Sequence, residues 1–442
     1  MKRSLPLVLL VAFSILSVPD ASPADRRAPS RGRAGQAPLV GRPGALLRGL
    51  LPGGLRVVIW SDPDLAVETA CLVVGVGSVH DMERKQGAAA MVADMVREAW
   101  DSGGMAPEAL RVRADEDAAT FLLQTRGGDF PDALEVLGQR ISRLEPGPGE
   151  VEAARRRAVQ RFEDRRPWSP AEVALRGALF DVYGYHRSPR GTGESLAGVT
   201  PDVVHGYYSQ YYRPNNAVLA VCGPLDPESV RRAAARAFSA WQYGYVPPAS
   251  PREPPPLEGP VFGSAEGVDG TCAILGGALV PHVPLPERLA LEVCAEALAT
   301  AVDSSSAVPR RRASLVRHRL CDEVRVGWTA DAAGLAYAAR DWTRDLGDLA
   351  ALPAPVFERL REACLLRVLA DENWVTGAAR ATLFGWPVDT PDDIVTAADA
   401  LGPERVADTA RRWLGPRRWA LVSNVRRSAL QAAFAAAAGG GP

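Results

Sequence analysis

The sequence predicts an α+β protein of two homologous domains, each a mainly antiparallel sheet packed with helices. Three observations carry that expectation. Runs rich in β-formers and runs with helical periodicity follow one another in the same order twice along the chain. Thr271-Cys-Ala-Ile-Leu-Gly-Gly277 echoes Ala70-Cys-Leu-Val-Val-Gly-Val76, at an offset of 201 residues measured from Cys71 to Cys272, and an apolar helical run follows both. Residues 246–260, where proline recurs, can be neither helix nor central strand and read as a semi-rigid linker. A repeat that long is a duplicated domain rather than a solenoid unit.

The first domain is assigned to residues 45–245. Residues 55–60 and 66–76 read as strands, the second ending in Gly75-Val-Gly-Ser78, and 84–100 is an amphipathic helix. Past Gly103-Gly104, residues 110–114 and 118–125 predict a strand pair, and 131–144 and 150–166 predict helices. The second of these is dense in charge, as a solvated face is. Another helix is expected at 170–183 and a loop at 184–193. Thr200-Pro-Asp202 supplies an N-cap and a proline at the first helical position, and Tyr211-Tyr-Arg-Pro-Asn-Asn216 ends that helix. Residues 217–223 form a buried strand, and Asp226 caps a helix that runs to 238.

The second domain, 261–430, repeats this order. A helix is expected at 287–300, the strand pair at 325–329 and 334–339, a helix at 355–370, a strand at 417–423 and a helix at 427–437. Residues 431–442 read as an Ala/Gly tail. At the other end, Lys2 and Arg3, the apolar run 5–18 and the small residues Ser22 and Ala24 predict a cleaved signal peptide over 1–24. Residues 25–44, rich in Pro, Gly and Arg, lack the apolar content to fold and form a flexible lead-in. The chain is therefore expected to be exported, periplasmic or extracellular, with no membrane span after signal cleavage.

The 442 residues are 47% hydrophobic and 23% charged, and 51 basic against 52 acidic residues give a net charge of −1, which provides no reason to expect nucleic acid as a partner. The six cysteines form no Cys-x-x-Cys and no Cys/His cluster, and Cys71, Cys222 and Cys272 fall in strand-like runs as small buried thiols. His80, His186, His205, His282 and His318 are not paired at ligand spacing and read as loop or surface residues. Gly193-Glu-Ser-Leu-Ala197 lacks the last glycine of a nucleophile elbow, and no phosphate-binding loop is present.

Several segments then line up with one family. They are the opening strand at 55–60, Gly77-Ser78, Gly87 at a helix start, Gly191-Thr-Gly-Glu-Ser195 followed by Thr200-Pro-Asp202, and Tyr211-Tyr-Arg-Pro-Asn-Asn-Ala217 running into Val221-Cys-Gly223. In this order, over about residues 46–425, the chain resembles the pitrilysin/insulinase metallopeptidases, the M16 family, in their short two-domain form. The resemblance implies a LuxS/MPP-like metallohydrolase-type fold. It also implies an inverted zinc motif, His-x-x-Glu-His, on the first-domain helix. Registering Gly87 with the family glycine puts Ala90, Ala93 and Asp94 at those three positions. Alanine has no lone pair for a metal, and one Asp cannot replace two imidazoles and a carboxylate. Glu163 is the remnant candidate for the third ligand of the family. Arg319 registers with a second-domain Arg that contacts substrate, while the Tyr that accompanies it falls on Val326.

The expectation is a catalytically inactive M16-like protein without a cofactor. It is expected to be the non-catalytic subunit that pairs with an active zinc metallopeptidase as a heterodimer and helps to enclose or bind peptide substrate. Two alternatives remain: an active zinc metalloendopeptidase with an atypical site, in which case zinc is the cofactor, or an envelope peptide-binding, chaperone-like homodimer.

Overall fold

The β-formers of the first half assemble into a six-stranded sheet. Its strands are β1 (Leu46–Leu50), β2 (Arg56–Ser61), β3 (Glu68–Val74), β4 (Leu110–Ala114), β5 (Ala119–Thr125) and β6 (Ala217–Gly223), in the order β1-β2-β6-β3-β5-β4. Only β2 and β6 run parallel, with Val57 opposite Leu219; every other pair is antiparallel, as where Cys71 faces both Ala220 and Leu122. The second half builds a five-stranded sheet from β7 (Val261–Ser264), β8 (Cys272–Val280), β9 (Arg312–Arg317), β10 (Asp322–Ala330) and β11 (Trp419–Ser423), in the order β7-β11-β8-β10-β9. Again a single pair, β7 with β11, is parallel. The two sheets correspond in strand order and direction, β2-β6-β3-β5-β4 to β7-β11-β8-β10-β9, and among the described residues β1 has no counterpart. The structure is a computed structural model, and it describes residues 46–63, 65–101, 106, 109–126, 129–164, 168–180, 184–247, 254, 257–264, 272–300, 312–330 and 334–439. The expected signal peptide and lead-in lie outside them.

The helices obey the same duplication. The first half has α1 (Ala88–Asp101), α2 (Phe130–Ser142), α3 (Pro148–Asp164), α4 (Trp168–Leu179), α5 (Gly193–Ala197), α6 (Pro201–Tyr211) and α7 (Pro227–Ala237). The second has α8 (Leu285–Thr300), α9 (Leu335–Asp348), α10 (Ala354–Val368), α11 (Asp371–Phe384), α12 (Pro391–Asp399), α13 (Pro403–Trp413) and α14 (Arg427–Gly439). The two caps expected from sequence are made: the Thr200 side chain accepts from the Val203 N–H at 3.4 Å, and the Asp226 carboxylate accepts from the Ser229 N–H at 2.8 Å.

One expectation for the second half is corrected. The strand pair is β9 with β10, and the stretch 334–339 opens helix α9 instead. Leu335, Ala338, Ala339 and Trp342 recur at helical spacing and are all buried, so the apolar period there is that of a helix and not a strand. The helix expected at 427–437 is α14, which takes in the alanine-rich end as far as Gly439. Alanine is the best helix former, and Leu430 and Phe434, one turn apart, are buried on one face, Phe434 against the Phe262 ring at 5.9 Å.

The halves are interlocked by an exchange of helices. One face of the first sheet, with Val57, Ile59, Leu72, Val74 and Leu219, packs on its own helices. Its other face, with Val58, Trp60, Cys71, Val73, Val218 and Ala220, is covered by α11 of the second half through Trp374, Val375, Ala378 and Ala379. The Trp60 and Trp374 rings lie 5.8 Å apart. In return α4 of the first half lies on the second sheet, where Ala171, Leu175 and Leu179 meet Leu275, Ala420 and Val422. Gly277 on β8 makes room for this, since a Cβ there would sit 2.6 Å from Leu179 Cδ1. Burial on both faces explains why β3 and β6 read as unbroken apolar runs rather than alternating ones. Cys71 and Cys222 are buried free thiols, and burial pushes Cys71 up to about 12.

Candidate functional site

Helix α1 is positioned by the segments that first suggested a family, which meet in space at its N-terminus. Asp81 turns its carboxylate onto the start of the helix, accepting from the Gly87 N–H at 2.7 Å and the Ala89 N–H at 3.0 Å, and so satisfies two of the donors that a helix N-terminus leaves open. Arg187 donates to the Asp81 carbonyl at 2.5 Å. Burial pushes the Asp81 carboxyl up to about 7, against the pull of those two N–H groups and of Arg187. Gly87 has φ +97°, and a Cβ on it would lie 2.7 Å from Leu196 Cδ2 and 2.8 Å from the Arg190 carbonyl oxygen. Ser195 donates to the Gln86 carbonyl at 2.9 Å, and Thr192 and Ser195 close a capping box on α5. The Tyr207 hydroxyl donates to the Gly77 carbonyl at 2.9 Å and Asn216 to that of Gly75 at 3.2 Å. Gly87, Ser195, Tyr207 and Asn216 of these segments thus have packing or hydrogen-bonding tasks around the entry to α1.

The positions registered with the zinc motif lie on this helix. Ala93 is buried, whereas Ala90 and Asp94 are partly exposed. Asp94 is ion-paired with Arg161 of α3, and one turn further along, Glu98 receives two hydrogen bonds from Arg157, at 2.8 and 2.6 Å. The pairs at i and i+4 on each of two facing helices make a two-rung ladder. Burial, together with the neighbouring Glu98, raises the Asp94 carboxyl above its ordinary value against the attraction of Arg161. Glu163, two residues beyond Arg161 and so about 200° further round α3, is exposed and is not part of this ladder. α3 meets Asp94 and Glu98 of α1 with the guanidinium groups of Arg161 and Arg157.

Arg319 stands apart from the α1–α3 ladder, in the turn between β9 and β10. Its backbone N–H donates to Asp117 at 2.7 Å, across the seam to the turn between β4 and β5, and its carbonyl lies 3.1 Å from His282 Nε2. Its guanidinium is 5.9 Å from the Phe384 ring centre. Burial first, and then the Arg319 charge, pull the His80 imidazole down to about 4. Val326, at the place of the accompanying Tyr, is buried in the core of the second half.

Sequence reasoning missed a buried polar network at the same seam. His318 is not a surface residue: it is 1% exposed and bonded to Glu323 at 2.9 Å, with the Phe180 and Tyr185 rings beside it. Arg325 also binds Glu323, at 2.9 and 2.5 Å, and the Arg325 charge with the His318 hydrogen bond holds the Glu323 carboxyl far below its ordinary range despite its burial. Arg176 of α4 pairs with Glu116, Arg380 of α11 with Asp115 at 2.6 Å, and the Tyr185 hydroxyl donates to Asp117 at 2.7 Å. One signal was present in the sequence: Arg176 and Arg380 stand at the same place in the duplicated helices α4 and α11.

The comparisons with known proteins agree with this geometry. A family model described as "Peptidase M16 inactive domain" matches residues 198–338. The structure resembles the crystal structure of a peptidase M16 inactive domain from Pseudomonas fluorescens, with a TM-score of 0.72 and 15% identity over 86% of this chain and 97% of the other. It resembles a chain of Complex III2 from Candida albicans, with a TM-score of 0.70 and 13% identity over 88% and 99% of the two chains. It also resembles the periplasmic protease PqqL from Escherichia coli, with a TM-score of 0.66 and 15% identity, where 91% of this chain covers 51% of PqqL. At these identities the likeness is one of fold. No curated protein matches the sequence.

Zinc is the metal such a fold implies, and the residues present do not fit it. Two of the three motif positions carry methyl groups, the third carboxylate is ion-paired with an arginine, and the facing helix offers cations where a ligand would have to stand. Among the described residues, no group of three or more His, Cys, Asp or Glu side chains is placed to hold a metal ion. Residues 198–338, about a third of the chain, match the family model of the peptidase M16 inactive domain, and the described residues form an α+β fold of two duplicated halves similar to that of the M16-like structures.

Proposed function

We propose that this chain is a non-catalytic M16-like protein that pairs with a second M16 chain and helps to bind or enclose a peptide. The observation that carries the reading is the ladder between α1 and α3. A peptidase of this fold would need metal ligands and a general base there, and Asp94–Arg161 and Glu98–Arg157 occupy the space with mutually neutralising charges. The α1 scaffold around Gly87, Gly191 and Asn216 is kept while the chemistry is not, which suits a subunit retained for its shape. Two relatives support the pairing. PqqL spans twice the length that this chain covers, and another neighbour is a chain of a multi-chain complex. The open edges β4 and β9 offer backbone groups to an extended peptide. The apolar run at 5–18 and the periplasmic setting of PqqL favour export.

The test is gentle purification of the full chain from its native host after mild cross-linking. The reading expects a second M16 chain with an intact His-x-x-Glu-His motif in the same complex. Recovery of the chain alone, as a monomer, would count against it.

A further inference from the structure

Two of the outer strands, β4 and β9, each with no further strand beside it among the described residues, border one groove. A cleft of about 570 Å³ is bounded by β4 on one side and β9 on the other, with α11 along its floor. Its lining includes five arginines, Arg111, Arg113, Arg317, Arg325 and Arg380, against the carboxylates of Asp115 and Glu372. The carboxylates that answer Arg317 and Arg325 are Asp322 and Glu323, both 0% exposed, so they stand behind the wall while the two arginine side chains are partly exposed. Arg111 is paired with Glu372, and Arg380 with Asp115. Arg113 is exposed on β4, on the same face as Arg111, and makes no ion pair among the described residues. Arginine paired on one side keeps further N–H donors for a second carboxylate.

We propose that this groove takes an extended peptide segment bearing acidic side chains, its backbone pairing with an open strand edge and its carboxylates meeting the arginines. The inference rests on the peptide-binding part of the function proposed above and names the class of peptide. Two features favour a peptide over a nucleic acid. Unpaired strand edges match a polypeptide backbone. The chain as a whole carries a net charge of −1, which would repel a long polyanion beyond the groove.

The experiment measures binding of labelled peptides to the full chain by fluorescence anisotropy, at low and at raised salt. Three peptides of one length are used: one rich in Asp and Glu, one with Asn and Gln in their place, and one with Lys and Arg. Arg113→Gln is the test variant and Arg405→Gln, exposed on α13, the control. The acidic peptide is expected to bind most tightly and to weaken with salt. Arg113→Gln should lower its affinity roughly three- to tenfold, as loss of a partly exposed charge-assisted contact does, without changing the melting temperature or the affinity for the Asn/Gln peptide. Equal binding of all three peptides would overturn the acidic class and leave the peptide-binding reading standing. No binding of any peptide would overturn both. A preference for the acidic peptide that Arg113→Gln leaves unchanged would remove the site from this groove. Heparin binding more tightly than the acidic peptide, with the same dependence on Arg113, would replace the peptide with a non-peptide polyanion.

Discussion

Arg161 of α3 is ion-paired with Asp94 of α1, the residue that the sequence resemblance registers with the second imidazole of the zinc motif. The pair has a direct consequence for attempts to rebuild a metal site. The triple variant Ala90→His/Ala93→Glu/Asp94→His supplies two imidazoles but leaves Arg161 facing them. It should bind no stoichiometric zinc and cleave no peptide. Adding Arg161→Glu replaces the cation with a third ligand of the right charge, and zinc should then bind in about one-to-one ratio. Elemental analysis after dialysis checks both variants, and zinc bound by the triple variant alone would contradict the reading of Arg161.

Glu323 holds the seam between the halves together, with His318 and Arg325 on either side of its buried carboxylate. Removing it strands two buried basic groups, so Glu323→Ala should cost about 3–5 kcal/mol in denaturant unfolding. Its carboxyl is held below the ordinary value in the folded state, so the stabilisation is present above the unfolded glutamate pKa of about 4.3 and is lost as the pH falls below it. The acid limb of stability should be shallower in Glu323→Gln than in the wild type. A cost under about 1 kcal/mol would mean that the network contributes no more than an exposed ion pair.

His282 has an acceptor on each ring nitrogen: Asp322 Oδ1 lies 3.2 Å from Nδ1 and the Arg319 carbonyl 3.1 Å from Nε2. A neutral imidazole can donate to only one of them, and imidazolium donates to both. Burial and the nearby Arg317 pull the pKa down, but the Asp322 carboxylate and the Arg319 carbonyl prevail and raise it. The raised value means that the stabilisation is full below the unfolded histidine pKa of about 6.5 and fades as the pH rises through the folded one. Melting curves should show the wild type losing about 1 kcal/mol across that interval relative to His282→Ala. Stability that rises with pH over the same interval, relative to the variant, would contradict the assignment.

The exchange of α4 and α11 makes each half incomplete without the other. Expressed alone, residues 45–245 would expose the face of Trp60, Cys71, Val73, Val218 and Ala220 that α11 covers. That fragment should aggregate or populate a loosely packed state, and mixing it with 261–439 should restore near-native circular dichroism. In the whole chain, Trp374→Ala should destabilise by about 3–5 kcal/mol. A monomeric first half that unfolds cooperatively by itself would show that the exchange is dispensable.

Much of the fold was legible in the sequence because local signals and tertiary roles coincide there. The caps at Thr200 and Asp226, the apolar run of β6 and the echo of β3 in β8 each point one way. Three kinds of feature were not legible. The stretch from Leu335 to Ala339 is apolar at almost every position, so its period is ambiguous over so few residues, and only the burial of Trp342 one turn on resolves it. Helix α11 carries Trp374 and Val375 for a sheet some 300 residues earlier in the chain, a partnership that no local pattern encodes. His318 reads as a loop or surface residue and does stand in the turn between β9 and β10, but its burial depends on Phe180, Tyr185 and Glu323 converging from separate elements. At the candidate site, the substitutions at 90, 93 and 94 could be read directly. That α3 answers them with Arg157 and Arg161 rather than with Glu163 depends on which face of α3 turns inward.

The central claim is that α1 and α3 together hold no metal and perform no peptide hydrolysis of their own. The most direct measurement is the zinc content of the purified full chain after equilibration with zinc and removal of unbound metal, read beside hydrolysis of a quenched fluorescent peptide library. The account predicts zinc well below one atom per chain and no chelator-sensitive cleavage. One zinc per chain, with hydrolysis abolished by chelator and lost in Asp94→Ala, would contradict it.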